Sequence, residues 1–408
     1  MVARSRTQSN DLERPVSVRR RTWDNADGSQ GEAWVVNYTD ADSKRRLKSF
    51  ERKRDADAYH AKVAVDVGAG IHTAESRSIT IAAAGERWIK AAEGAKLERS
   101  TLEQYRRHLD LHIAPRIGAV RLAQLTMPAA RDFEDRLRID HSPAMVRKIL
   151  TSLGSILADA QESGLVAQNV VHSLRTHRRA RRRDREAHAG QRKRKFEVGI
   201  DIPTPDEIRR IVAHLTGRWR PLLLTAIFAG LRGSELRGLR WADVNLKRNE
   251  LTVRQRADRW RAIGSTKSRA GQRTIPLPPL VANALREWKL ACPKGTQDLV
   301  FPNGAGRIED HGNIATRGWG PAQVAAGVIN DRGEAKYPGL HAMRHFFASW
   351  CINRKEDRGL ELPPKMVQER MGHASITMTL DVYGHLFPRK NDNAELAAAE
   401  KALLRPVS

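Results

Sequence analysis

His341-Ala342-Met343-Arg344-His345, then Met371-Gly372-His373-Ala374-Ser375, then Tyr383-Gly384-His385 form the stretch on which the reading of this chain turns. Well upstream stands Ala229-Gly230-Leu231-Arg232-Gly233-Ser234-Glu235-Leu236. His341 and Arg344 are three apart and so share one face of a helix. Arg232 and Arg344 offer two planar guanidinium forks that match phosphate oxygens and do not deprotonate. His341 and His373 can handle protons, and the Tyr383 phenol can attack phosphorus. Such a set can break a phosphodiester without a metal. His341 and His345 are four apart, as zinc ligands can be, but the residues between them lack the Glu of a zinc protease and no third ligand pattern is evident. No metal site is therefore expected, and His345 reads as a packed or capping residue.

The composition agrees with a polyanionic partner. Of 408 residues, 72 are Lys or Arg against 47 Asp or Glu, for a formal net charge of +25 and a pI near 10.7. A strongly cationic chain is drawn to polyanions; the plain alternatives are a solvated basic surface, or a ribosomal or membrane-surface protein. The richest apolar run, Leu222 to Leu231, is far short of the ~18 residues that span a bilayer. Two cysteines, Cys292 and Cys351, rule out a disulfide framework. The polar, charged N-terminus reads as lacking a signal peptide, so a cytoplasmic location is expected.

Two or three domains are expected from the length. After a polar start, Val16 to Trp23, Glu32 to Tyr38 and Arg45 to Phe50 read as strands, with turn signals at Asp27-Gly28 and Asp40-Ala41-Asp42. A helix is expected from Arg52 to Val67, with Ala56, Tyr59 and Val63 on one stripe. The strands interleave Arg19, Arg20, Arg21, Lys44, Arg45, Arg46 and Lys48 with Trp23, Trp34 and Tyr38, a basic face suited to a DNA groove. From 78 to 174 the pattern is a small helical bundle. Thr80, Ser100 (with Glu103 as a capping box) and Ser142-Pro143 start helices, Pro128 suits the first turn of another, and Pro115 and Gly118 break the chain. Arg147 and Lys148 fall on the exposed face of the helix that begins at Pro143.

Arg175 to Lys195 is a linker, about half Lys or Arg, expected to order only against a polyanion and to bind it with steep salt dependence. A second domain opens at Thr204-Pro205-Asp206-Glu207, a capping box with Pro at the first helical position. Leu222 to Phe228 reads as a buried helix, and Ser234 to Leu239 as a short helix after a glycine turn. Leu251 to Arg256 and Arg273 to Leu277 read as strands around a hairpin, Gly264 to Gly271, that carries Lys267; beyond Pro278 the pattern is helical. The class is mainly α with small β elements. The expected divisions are 1–75 (three strands plus helix), 76–174 (helical bundle), 175–201 (basic linker), 202–390 (an α+β domain bearing the motifs above) and 391–408 (a tail helix with Leu396, Ala399, Leu403 and Leu404 at helical spacing).

The motifs around Arg232, His341, Arg344, His373 and Tyr383, with Leu239-Arg240-Trp241-Ala242-Asp243-Val244, resemble the tyrosine recombinase family, specifically the three-part integrases of temperate phages and integrative elements. The resemblance spans nearly the whole chain and is most specific from Thr204 to Phe387; Met371 stands where the family more often has Leu. It implies that Arg232 and Arg344 clamp the scissile phosphate; by its spacing, Glu235, three residues on from Arg232, is expected to hold the Arg232 guanidinium on the helix face. His341 would act in proton transfer to or from the nucleophile, His373 would bond the phosphate, Lys267 would protonate the departing 5′ oxygen, and Tyr383 would be the nucleophile. Arg269 and Arg273 compete with Lys267 for its assignment. The N-terminal unit would bind arm DNA, the bundle core DNA and the linker both, which makes Arg19, Arg21, Arg45, Arg46, Arg147, Lys148, Arg178, Arg179, Arg181, Arg182 and Arg183 expected DNA contacts. The implied partners are double-stranded DNA attachment sites in the bacterial nucleoid, three further copies in a homotetramer on DNA, a directionality factor and a DNA-bending host protein, with no cofactor and no membrane. In relatives the tail packs on a neighbouring protomer, the alternative being packing in cis. A Xer-type chromosome or plasmid dimer resolvase is the first rival; such resolvases lack the strand unit at 16 to 67. A non-catalytic DNA-binding protein with a decayed core is the second, although all six catalytic positions are filled.

Overall fold

The structure, a computed structural model, describes residues 16–25, 28–39, 45–68, 78–174, 195–266, 268–387, 396–397, 400–401 and 403–404. Lys267, Ala399 and the linker arginines Arg178, Arg179, Arg181, Arg182 and Arg183 lie outside the described residues. The chain divides into two compact units, Met1–Gln191 and Arg192–Ser408.

The first unit begins with an antiparallel meander of β1 (Val16–Asp24), β2 (Gln30–Thr39) and β3 (Arg45–Phe50), followed by helix α1 (Lys53–Gly68). The strands and helix stand close to where the sequence places them. Strand side chains alternate between faces, and the register sorts them: Val18 pairs with Val36, Trp34 with Phe50 and Tyr38 with Arg46. Val36, Tyr38, Ala56 and Val63 form a small core on which Val18, Trp34, Phe50 and Tyr59 pack. Arg19, Arg21 and Arg45 lie opposite Val35, Ala33 and Thr39 on the other face. The expected single basic face is thus split. Arg46 shares the helix-side face because its partner is Tyr38, and Lys48 lies over the Tyr59 ring at 4.4 Å.

The bundle consists of α2 (Ile81–Gly94), α3 (Arg99–His108), α4 (Met127–Asp140) and α5 (Pro143–Glu162), around a core that includes Ile81, Ile89, Leu109, Phe133, Leu137, Ile149, Leu153 and Ile156. Thr80 and Ser142 cap as expected, accepting from the amides of Ala83 and Met145. Two expectations fail. α3 starts at Arg99 with Glu98 at the cap, which leaves Ser100 inside the first turn, where it cannot cap; it donates instead to Glu98. Pro115 does not break the chain either. Helix continues through a π-helical turn, Leu109–Ile113, and on to Ile117. Proline lacks the N–H that would bond the Leu111 carbonyl, and the Arg116 guanidinium reaches that oxygen at 3.4 Å.

The second unit is built around α7 (Trp219–Ala229), which follows α6 (Pro205–Ala213) and precedes the short α8 (Gly233–Gly238). Pro221 to Ile227 and Ala229 of α7 are buried, as an apolar run without helical periodicity requires. The α6 capping box is complete: the Glu207 amide donates to Thr204 Oγ1 at 3.1 Å, and the Thr204 amide to Glu207 at 2.8 Å. The strands differ from expectation. β4 (Val244–Asn245), β5 (Glu250–Val253) and β8 (Arg273–Pro276) make one sheet, while β6 (Gln255–Ala257) and β7 (Ile263–Ser265) make a separate two-stranded hairpin. The hairpin turn is therefore at Asp258–Ala262, where the Asp258 carboxylate accepts from the amides of Trp260 and Ala262. α9 (Pro279–Ala291), a distorted helix through Ile314–Trp319 and Gly320–Ala325, α10 (His341–Ile352), α11 (Pro364–Met371) and α12 (Ile376–Tyr383) complete the unit. In the tail, Leu396, Leu403 and Leu404 are exposed. Among the described residues no helix is long and apolar enough to cross a membrane.

Candidate active site

Two left-handed glycine turns bring the site together. Gly230 ends α7 with φ +60°, and Gly372 ends α11 with φ +61°. Only glycine adopts this conformation freely, and space demands it too. A Cβ on Gly230 would come within 2.2 Å of the Phe347 ring, and one on Gly372 within 2.8 Å of Arg273 Nη1. The first turn presents Arg232, the second His373.

The two arginines expected to clamp the phosphate cross-tie these turns. Arg344, on α10 and 5% exposed, donates to the carbonyls of Gly230 and Met371. Arg232, about one-third exposed, donates to the Gly372 carbonyl at 3.2 Å and to Glu235 at 2.7 Å. Each guanidinium has five N–H donors, and these bonds use two. Glu235 holds the Arg232 guanidinium as expected, and it also receives Arg273 at 2.9 Å. The Arg273 side chain is buried and donates further to the carbonyls of Arg370 and Gly271, so it acts as a strut beneath the site. Burial alone would raise the Glu235 carboxyl pKa, but Arg273, with the amide and charge of Arg232, holds it at about 2. Burial, then Arg232 and Arg273, lower the pKa of Arg344. Three guanidiniums around one carboxylate leave an excess of positive charge in a poorly solvated place, which an arriving phosphate would relieve.

His373 is buried. Its Nδ1 lies 2.9 Å from Thr379 Oγ1, and burial, then Arg344 and Arg232, push its pKa down to about 4. In the tautomer in which Nδ1 accepts from threonine, Nε2 carries the proton and can donate to an anion. Tyr383, the last residue of α12, is 2% exposed, and burial raises its pKa to about 12 even though Arg344 and Arg232 oppose the rise. Its ring is parallel to that of His373 at 6.3 Å.

His341 opens α10, with its pKa lowered by partial desolvation and then by Arg344, His311 and Arg232. The imidazole that touches the phenol is His345, with Nδ1 2.7 Å from Tyr383 Oη. The expected packed or capping role for His345 is thus incomplete. The four-residue spacing that suggested zinc puts both imidazoles on one helix face, a turn apart, with their ring centres 6.2 Å apart. The structure gathers Arg232, Glu235, Arg344, His373 and Tyr383, with His341 at the rim. Phe196, against the His345 ring, carried no motif that sequence reading could have caught, and His385, which bonds the Phe196 carbonyl, stood in the quoted Tyr383-Gly384-His385 without a role. Of the expected DNA contacts, Arg147 and Lys148 are exposed on α5, and Arg19, Arg21 and Arg45 are exposed on the meander.

The sequence profile of the phage integrase family matches residues 203–390. The tyrosine recombinase XerC of Xylella fastidiosa (strain 9a5c) is 30% identical over 295 residues, 70% of this chain and 86% of that protein. A XerC-like tyrosine recombinase of Caldanaerobacter subterraneus subsp. tengcongensis is 27% identical over 226 residues; these are 50% of this chain and 55% of the relative, so little more than half of the relative is spanned. Among solved structures, a Tn1549 transposon integrase in complex with a circular intermediate DNA has a TM-score of 0.59 at 18% identity, over 80% of this chain and 100% of that one. A λ integrase tetramer bound to a Holliday junction has a TM-score of 0.51 at 17% identity, over 90% and 98%. An identity sustained over most of a XerC, on a fold shared with these integrases, means that this chain belongs to the tyrosine recombinase family of DNA strand-transfer enzymes.

Proposed function

We propose that the protein is a site-specific integrase, cutting and rejoining DNA through a 3′-phosphotyrosine to integrate and excise a mobile element. The observation that carries the chemistry is the cross-tied cluster, in which Arg232 and Arg344 flank the turn leading to His373 while Tyr383 lies within reach of their fields. Tyr383 attacks the phosphate and the 5′ hydroxyl leaves. Arg232 and Arg344 neutralise the charge that spreads over the five-coordinate phosphorus, His373 donates to a non-bridging oxygen, and Lys267 protonates the departing oxygen. A 5′ hydroxyl of a second duplex then attacks the phosphotyrosine, so one phosphodiester replaces another and no nucleotide is consumed.

Integration is favoured over chromosome resolution by the N-terminal strand unit, part of a chain whose fold the λ integrase shares over 90% of its length. The meander with α1 is the added unit such an enzyme uses for accessory sites, and its open face carries Arg19, Arg21 and Arg45. The λ integrase tetramer on a Holliday junction supports a homotetramer on two attachment sites, and we add to the proposal a directionality factor and a DNA-bending host protein. The test is Tyr383→Phe on a nicked half-site that traps the covalent intermediate. DNA binding should persist and the adduct should vanish; an adduct formed by the Phe variant would remove Tyr383 from its role and the reading with it.

A further inference from the structure

Tyr383 Oη has one imidazole nitrogen at bonding distance, His345 Nδ1 at 2.7 Å. The other site histidines are placed differently. His373 commits Nδ1 to Thr379, and its ring runs parallel to the phenol; the His341 ring is a turn away. His345 is itself held. Phe196 lies against its face, with ring centres 4.3 Å apart at 32°. The Phe196 carbonyl is gripped in turn by His385 Nε2 at 2.7 Å, two residues beyond the nucleophile. A carbonyl can only accept, so His385 carries its proton on Nε2.

We propose that His345 is a catalytic residue of this site, taking the Tyr383 proton as the phenolic oxygen attacks phosphorus and returning it when that bond breaks, with Phe196 as its positioning residue. The proposal rests on Tyr383 being the nucleophile. In the first step the Oη–H bond breaks as Nδ1–H and Oη–P form, and the P–O5′ electron pair leaves on the 5′ oxygen, which takes a proton from a separate acid. In the second step the incoming 5′ hydroxyl gives a proton back to that acid, P–Oη breaks, and His345 returns its proton to Tyr383. The groups facing His345 keep it a neutral acceptor. His341 and Arg344 lie on its own helix, Tyr383 on α12, His373 on the preceding turn, and Asp201 and Phe196 on the segment before α6. Burial, then His341 and Arg344, push its pKa down to about 4, with Asp201 alone opposing. The proton therefore rests on oxygen until phosphate charge arrives, and its transfer accompanies the attack.

The experiment uses the full chain in single-turnover adduct formation on a nicked half-site from pH 5 to 10, with DNA binding as the control for folding. The variants are His345→Ala, His345→Asn (which keeps a polar side chain but no base) and Phe196→Ala. Both His345 variants should lose on the order of 10²- to 10⁴-fold in rate. Their rates should climb about tenfold per pH unit toward the phenol's value, where the wild type is flat. Free imidazole should restore His345→Ala. A 5′-bridging phosphorothiolate, whose leaving group needs no proton, should not. Phe196→Ala admits water to the imidazole and moves its pKa toward the ordinary 6.5, so its rate should fall off on the acid side where the wild type's does not. Wild-type pH profiles in both His345 variants, or full rescue by the sulfur substrate, would overturn the proposal; an unchanged acid limb in Phe196→Ala would remove Phe196 from it. Either result with no adduct from Tyr383→Phe leaves the nucleophile in place, whereas an adduct from Tyr383→Phe defeats the functional reading itself.

Discussion

Glu235 decides how much charge the site can hold. Without it, Arg232, Arg273 and Arg344 would crowd one poorly solvated place with nothing to balance them. Its carboxyl sits at about 2 against an ordinary 4.5, a difference worth on the order of 3 kcal/mol. The folded-state pKa is depressed, so this stability is present above pH ~4.5 and is lost as pH falls toward ~2. Glu235→Gln should therefore cost a few kcal/mol in urea unfolding at pH 7, and the gap from wild type should close between pH 4.5 and 2; a gap that does not change with pH would refute the assignment. The two proposed clamp residues, Arg232 and Arg344, should separate under substitution by lysine. Arg344→Lys leaves a buried carbonyl of Gly230 or Met371 without its donor, so stability should fall by about 1–3 kcal/mol along with cleavage. Arg232 is partly exposed, so Arg232→Lys should fold nearly as well yet lose the bidentate grip, with cleavage down on the order of 10²- to 10³-fold. Wild-type cleavage rates in both would dismiss the clamp.

At the scale of elements, the site is held by two helix ends and one helix that spans them. Gly230→Ala and Gly372→Ala each force an alanine into the left-handed region, at about 1–2 kcal/mol. They should differ beyond that. The new methyl at 230 would come within 2.2 Å of the Phe347 ring in a packed core, while the one at 372 would meet Arg273 Nη1 at 2.8 Å and the Ala270 carbonyl at 3.0 Å, a milder overlap. Urea unfolding should find Gly230→Ala clearly the more destabilising; equal costs would contradict this packing. These elements also mark what the sequence made legible. Thr204, Pro205 and Glu207 carry a complete capping box, so α6 could be placed from local chemistry alone, and the meander and α1 were readable from period and turn residues. Strands of three residues such as β6 and β7 have too few positions for a pattern, so the hairpin was put at its glycines instead of at Asp258. Ser100 and Pro115 carried valid local signals that neighbours overrode: Glu98 took the cap, and Arg116 supplied the donor that proline lacks. In the site, the clamp, His373 and Tyr383 stood out through motif spacing. His345 did not, because its role depends on α12 folding back onto α10, an approach that no local spacing records.

At the scale of the whole molecule, a net charge of +25 makes attraction to DNA unavoidable, so affinity alone says little and its salt dependence says more. Fold and family follow from motifs in the second unit, but the role of an integrase depends on what the meander does with its basic residues. Strand alternation divides them: Arg19, Arg21 and Arg45 lie on the open face, and Arg46 lies on the side that carries α1. Only the open-face set can enter a groove without displacing the helix. Replacing Arg19, Arg21 and Arg45 together by Ala should weaken binding to duplexes flanking the core site and flatten the log–log salt dependence, by about one unit of slope for each phosphate no longer neutralised. Cleavage of the isolated half-site by Tyr383 should stay at the wild-type rate, because no residue of the cluster is touched. Arg46→Ala should leave the flanking-duplex slope unaltered. Arg147→Ala with Lys148→Ala, on the exposed face of α5, should instead weaken binding to the core duplex. The measurement is binding of each variant to core and flanking duplexes over a salt series, alongside half-site cleavage. Flanking-duplex binding that is indifferent to the open-face triple variant would take the accessory role away from the meander, and with it the ground for preferring an integrase over a resolvase.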